Sequence, residues 1–259
     1  MFNITPMVRN ILIVNVVVFL LQLGGIISTE AFALHYFGSD YFRPVQLLTH
    51  MFMHGSWGHL FGNMFSFFIF GPMLERYWGG EKFLAFYLIC GLGASLLYSG
   101  ARAYELNGLK QETSLYLENP SPAAFNSYMD DHVGPGAGRE LAVAYLRNAD
   151  QAEYVEASKE MVSRVYNTVY NSPMLGASGA VFAILMAFGM LFPNLELMLL
   201  FLPIPIKAKY FVLIYGAFEL YSGFNRMPGD NVAHFAHLGG MLFAYILVRM
   251  WQRNNFQEH

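Results

Sequence analysis

Residues 174–192 read Met-Leu-Gly-Ala-Ser-Gly-Ala-Val-Phe-Ala-Ile-Leu-Met-Ala-Phe-Gly-Met-Leu-Phe, 19 positions with no charge and one hydroxyl, Ser178. A bilayer-spanning helix needs about 20 mostly apolar residues, so this stretch has the right size to cross. Working outward, Phe83–Ala101 is a second run of 19 uncharged residues. Ile11–Ile27 is interrupted only by Asn15 and Gln22, and Val232–Val248 by His234 and His237. Leu47–Gly71 is apolar apart from His50, His54, His59, Asn63 and a few hydroxyls. Leu197–Phe224 is divided by Pro203, Pro205, Lys207 and Lys209. Its first part, Leu197–Ile206, reads as an interfacial or half-inserted piece, and Tyr210–Phe224 as a span with Glu219 near its far end. The expected fold is therefore an all-α polytopic membrane protein with six transmembrane helices.

Composition agrees. Of 259 residues 55% are hydrophobic and 13% charged, where a soluble domain carries about 25% charged residues; mean hydropathy is +0.36. A net charge of −3 provides no basic field for nucleic acid. Cys90 is the single cysteine, which excludes a disulfide framework within the chain and a thiolate metal cluster. The first run is longer than the roughly 7–15 apolar residues of a cleaved leader, so it reads as a retained span despite the small-residue pattern Ala31-Phe32-Ala33.

Lys and Arg in short loops set orientation. With the N-terminus in the cytoplasm, Arg9, Arg76, Lys82, Lys207, Lys209, Arg249 and Arg253 lie inside, against Arg43 and Arg226 outside. Both termini are then cytoplasmic. Residues 1–101 hold spans one to three, and 173–259 hold spans four to six. Between them, 102–172 is an extracytoplasmic insertion with 10 of the 18 acidic and 6 of the 15 basic residues. Its middle, Asn119–Gly138, is rich in Pro and Gly and reads as loop. Arg139–Asn171 has apolar residues at helical spacing.

Ionisable side chains in hydrocarbon are costly and mark function by default. Here they gather on the second, fourth and sixth spans. Ser178 is the fifth residue of its run and His237 the sixth of its own, so at about 1.5 Å per residue both lie within ~10 Å of the outer boundary. A nucleophile and a base from different helices can meet at that depth. His59 and Asn63, four apart, share a helix face and supply a pair of donors for an oxyanion. His54 and His59, five apart, sit about 140° from each other around the helix and do not stack. Gly176 and Gly179 flank a serine at a helix mouth, where free amides favour an anion. Each feature alone has a plainer reading: Gly176-x-x-x-Ala180 is also a small-residue packing surface, and the histidines and Asn63 could serve helix–helix hydrogen bonds. Their coincidence at one depth favours a site.

Taken together, His54-x-x-x-x-His59-x-x-x-Asn63, Gly176-Ala177-Ser178-Gly179 and Ala236-His237-Leu238-Gly239-Gly240 resemble the rhomboid intramembrane serine proteases, over all six spans but not the insertion. The resemblance implies a rhomboid-like bundle and a serine endopeptidase with a Ser178–His237 dyad lacking an acid. It also implies oxyanion stabilisation by His59, Asn63 and the Ser178 amide, with Gly240 admitting close packing of the sixth helix on the fourth. His237, not His234, matches the catalytic position. No Asp or Glu is expected beside either motif, Asp230 being a poor third member. Val45 and Gln46 stand where many relatives have Trp-Arg, Ala244 where a second glycine is common, and Phe182 where Tyr is frequent.

The implied substrates are single-pass membrane proteins whose helix unwinds near its outer end. They would arrive laterally from the lipid bilayer past the fifth span, whose connection 225–231 contains Pro228 and Gly229. No cofactor, metal or nucleic-acid partner is expected, and a bacterial plasma membrane suits the compact form. Two alternatives remain at this stage. One is a catalytically silent protein that binds membrane clients. The other is a metal or haem protein using His50 with His54, or His234 with His237, although no acidic ligand is expected at depth.

Overall fold

A computed structural model describes residues 3–199, 202–225, 230 and 232–257. The chain folds as α1 (Pro6–Leu23), α2 (Thr29–Phe32), α3 (Gln46–Thr49), α4 (Trp57–Trp78), α5 (Gly80–Glu118), α6 (Pro122–His132), α7 (Arg139–Arg147), α8 (Ala152–Asn171) and α9 (Ser178–Leu191). A hairpin of β1 (Glu196–Leu199) and β2 (Leu202–Lys207) leads to α10 (Ala208–Phe224) and α11 (His234–Gln257). Among the described residues two helices, α1 and α5, are long and apolar enough to cross a membrane, and α9 is a shorter apolar helix.

Among the described residues the architecture is helical apart from the hairpin. The stretch read as an interfacial or half-inserted piece is an antiparallel hairpin that pairs Glu196 with Lys207 and Leu197 with Ile206. Residues 226–229 and 231, which include Arg226, Pro228 and Gly229, lie outside the described residues.

α9 is the hub. Gly179 to Leu185 and Ala187 to Gly189 are all buried, as befits a helix apolar on every side. α4, α5, α10 and α11 pack around it, and α1 closes the bundle against α4 and α5. At the end remote from the insertion, Glu75 of α4 caps α1. Its carboxylate accepts the amides of Met7 at 2.9 Å and Val8 at 2.8 Å and the hydroxyl of Thr5. A negative group at a helix N-terminus satisfies free amides and the positive dipole end together.

α5 runs unbroken from Gly80 to Glu118 over 39 residues, about 58 Å at 1.5 Å per residue. The third apolar run and the start of the insertion are therefore one helix. Leu106, Leu109 and Tyr116 on its far half form a second core with Phe125, Tyr128, Tyr145 and Val162 of α6, α7 and α8. Much of the Pro/Gly-rich middle of the insertion is helical too, because Ser121 caps α6 through the Ala124 amide and Pro122 takes the first helical position, where no amide is needed.

The first loop is held by Gln46, which is fully buried. Its Oε1 accepts the amides of His35 and Arg43, and its Nε2 donates to the carbonyls of Ala31 and Tyr41. A neutral amide thus anchors this loop through four hydrogen bonds to backbone. The insertion is clipped to the same loop. Ser39 donates to the Asn171 side chain at 2.8 Å, the Tyr170 hydroxyl donates to the Gly38 carbonyl at 2.8 Å, and Leu34 pairs with Met174.

Candidate active site

Ser178 is the first residue of α9, after Ala177 at the cap, so the opening amides of the helix have no intrahelical acceptor. The helix starts four residues later than the apolar run does. The chain turns into it at Gly176, whose φ of +127° suits glycine and whose missing Cβ would lie 2.7 Å from the His59 ring. The Gly176 amide is fixed by the His50 carbonyl at 2.9 Å.

His237 lies in the first turn of α11, and its Nε2 is 2.9 Å from Ser178 Oγ. Phe182, one turn beyond the serine, stacks on the imidazole with centroids 4.0 Å apart and planes 6° from parallel. The two helices touch backbone to backbone here. A Cβ on Gly240 would sit 1.8 Å from the Gly179 carbonyl oxygen, and one on Gly179 2.6 Å from Ala94 Cβ. A small cavity bordered by His50, Met174, Gly176 and Ala236 adjoins Ser178.

The donors implied for an oxyanion sit on the first two turns of α4. Ser56 caps that helix by accepting the His59 amide. The Gly55 amide points at His59 Nδ1, 3.4 Å away, which leaves the proton on Nε2, the atom beside Gly176. Asn63 Nδ2 donates to His54 Nε2 at 3.1 Å and lies 3.7 Å from where a Gly176 Cβ would be. His54 itself is held by Gln22 of α1, which accepts its amide at 3.0 Å and donates to its carbonyl at 3.3 Å.

The second apolar run is therefore not one helix. His50 ends α3 and begins a 3-10 turn, and His54 precedes α4. The expected separation of His54 from His59 around one helix does not hold. The two rings meet edge to face at 5.1 Å, and His54 orients the Asn63 amide. For the same reason His50 and His54 do not share a helix face for a metal.

The largest correction concerns acid. Glu219 of α10 is 3% exposed, and one of its oxygens, Oε2, accepts His237 Nδ1 at 2.8 Å and His234 Nδ1 at 2.7 Å. His234 Nε2 in turn meets Asp230 Oδ2 at 3.0 Å. The expectations of a pair without an acid, and of no acidic ligand at depth, fall with this contact. The sequence puts Glu219 near the far end of its span and leaves the rotation of α10 about its axis open.

The site is a serine and an imidazole from two helices of an apolar bundle, and comparison with known proteins identifies the family. A Rhomboid domain profile matches residues 41–108 and 154–253, more than half of the chain, and omits the middle of the insertion. The chain belongs to the rhomboid family, whose members are membrane-embedded. It is similar to "RHOMBOID-like protein 12, mitochondrial" of Arabidopsis thaliana, with 24% identity over 214 residues. The match covers 82% of this chain and 47% of that protein, so this chain spans about half the length of that relative.

Proposed function

We propose that this chain is an intramembrane serine endopeptidase that cuts helices of membrane proteins near the bilayer face on the insertion side. α1, α4, α5, α9, α10 and α11 would be its six spans, with both termini in the cytoplasm and the insertion outside, as in a bacterial plasma membrane. The carrying observation is the 2.9 Å contact between Ser178 Oγ and His237 Nε2, made inside an apolar bundle where an idle hydroxyl–imidazole pair would only cost stability.

In this reading Ser178 Oγ attacks the scissile carbonyl while its proton passes to His237 Nε2. Charge collects on the carbonyl oxygen, where the Ser178 amide, His59 Nε2–H and the free Asn63 N–H can receive it. His237 then gives its proton to the leaving amine as the C–N bond breaks. Water, activated by the same imidazole, frees the acyl group and restores Ser178. A helix hides its carbonyls in its own hydrogen bonds, so the cut segment must be one that unwinds, with Gly, Pro or other helix breakers near the bond.

Purified protein in liposomes with a single-pass reporter should cleave it, and Ser178→Ala should reduce cleavage to background. Undiminished cleavage by Ser178→Ala would refute the assignment. A wild-type chain that neither cleaves nor labels with a fluorophosphonate would instead favour a silent client-binding protein.

A further inference from the structure

We propose that Glu219 is a positioning residue for His237: its carboxylate holds the imidazole in the tautomer that can accept the Ser178 proton, and His234 with Asp230 holds the carboxylate. The role in catalysis rests on the protease reading above; the hydrogen-bonded arrangement stands apart from it.

The first argument is cost. Phe218, Leu220 and Tyr221, the neighbours of Glu219 on α10, are all exposed along an apolar bundle. A carboxylate among them is expensive unless it is turned inward and paired. Glu219 is turned inward and meets two imidazoles through a single oxygen.

The second argument is proton accounting. An ionised carboxylate only accepts, so both Nδ1 atoms that touch Oε2 carry hydrogen. Neutral His237 with hydrogen on Nδ1 has a bare lone pair on Nε2, and Nε2 is the atom that faces Ser178 Oγ. The opposite tautomer would present N–H to the hydroxyl and could not remove its proton. His234 has a carboxylate at each nitrogen, Glu219 at Nδ1 and Asp230 at Nε2.

In the attack, the Ser178 O–H bond breaks as the Oγ–carbon bond forms, and the proton goes to His237 Nε2. Nδ1–H stays in place, and Glu219 keeps its charge opposite the new imidazolium. The arrangement has the roles of a Ser-His-acid triad, in which the acid orients the base and stabilises its charged form without being protonated. Here the acid comes from a neighbouring helix and is itself braced by a second imidazole and carboxylate.

The test uses the full-length chain in liposomes, following fluorophosphonate labelling of Ser178 and kcat and KM on a transmembrane reporter. Replacing the buried acid of a triad by its amide costs about 10⁴-fold in kcat. Phe182 stacking retains part of the orientation here, so Glu219→Gln should lose about 100-fold in kcat and in labelling rate with KM within threefold. Glu219→Asp should recover part of the loss, and Asp230→Asn should lose only several-fold. A folded Glu219→Gln protein reacting within twofold of wild type would overturn the proposal.

Nitrogen NMR of histidine-labelled wild type supplies a readout that survives a misfolded variant. His237 must carry hydrogen on Nδ1, and finding it on Nε2 instead is a refutation. Failure of the protease reading looks different: no form of the chain reacts, while the tautomer still reports on Glu219. Glu219, His234 and His237 also bring three ligand atoms within 4.8 Å of one another. Equimolar zinc in the purified protein, whose removal by chelator speeds labelling, would assign the cluster to a metal and overturn the proposal.

Discussion

Gly240 shows how much of the site depends on the absence of a single carbon. The Cβ of an alanine there would lie 1.8 Å from the Gly179 carbonyl oxygen and 2.8 Å from its carbon, and both are backbone atoms that no rotamer change can move. α9 and α11 would have to separate, and overpacking of this kind costs roughly 1–3 kcal/mol, occasionally more. Gly240→Ala should lower the midpoint of thermal unfolding by several degrees. It should also slow serine labelling more than tenfold, because the displaced helices carry Ser178 and His237. Unchanged stability and labelling would show that the helices pack less tightly than described. This position was legible only through the resemblance to rhomboid proteases, whose Ala-His-x-x-Gly pattern falls on residues 236–240. Glu219 was not legible in the same way: it lies 18 residues before its partner His237, on another helix, and only the packed bundle reveals which way it faces.

At the scale of elements, apolar runs located the helices of the bundle but not where each begins. The run from Met174 holds its first four residues in non-helical backbone, where Gly176 makes the turn and Met174 pairs with Leu34. The run from Leu47 breaks at His54–Ser56 for a related reason: Gln22 binds the His54 backbone and Ser56 caps the next helix. Hydrophobicity cannot report such hydrogen bonds. In the insertion, α5 is joined to its neighbours by buried phenols, Tyr116 donating to Ser158 at 2.6 Å and Tyr128 paired with Thr113 at 2.8 Å. Burial raises the pKa of both above the ordinary tyrosine value of 10.0. Between that value and the raised one, the unfolded chain has lost protons that the folded insertion keeps, so deprotonation favours unfolding. Stability of the insertion should be level up to about pH 9 and fall as pH rises past 10. Absorbance titration of tyrosine alongside far-UV circular dichroism checks this: a late-ionising group should appear together with loss of helix. All tyrosines ionising near their ordinary value with helix retained would contradict it.

Among the described residues, two large hydrophobic cores share one long helix, beside a smaller cluster of Leu34, Ala94, Met174 and Ala236. The bundle core runs through α1, α4, α5, α9 and α11, and the insertion core surrounds the far half of α5. The links between them converge on the first loop and the last turn of α8. Asn171 and Tyr170 bond to His35, Ser39 and Gly38, and Arg102 of α5 donates to the Val169 carbonyl. All of these residues lie outside Asn107–Arg164, and so do Ser178, His237, Glu219, His59 and Asn63. Removing that segment and joining Leu106 to Val165 through a short Gly-Ser linker would delete most of the second core and leave the clip and the site intact. The shortened chain should therefore label at Ser178 within about fivefold of the full chain, while its unfolding midpoint falls by a few degrees from the lost packing on α5. Comparing cleavage of reporters with short and long outer domains would then read the effect of the insertion on access, apart from chemistry. Loss of labelling in a shortened chain that still folds would mean that the insertion shapes the site itself, and that the first loop cannot hold the mouth of α9 in place with Gln46 and Asn171 alone.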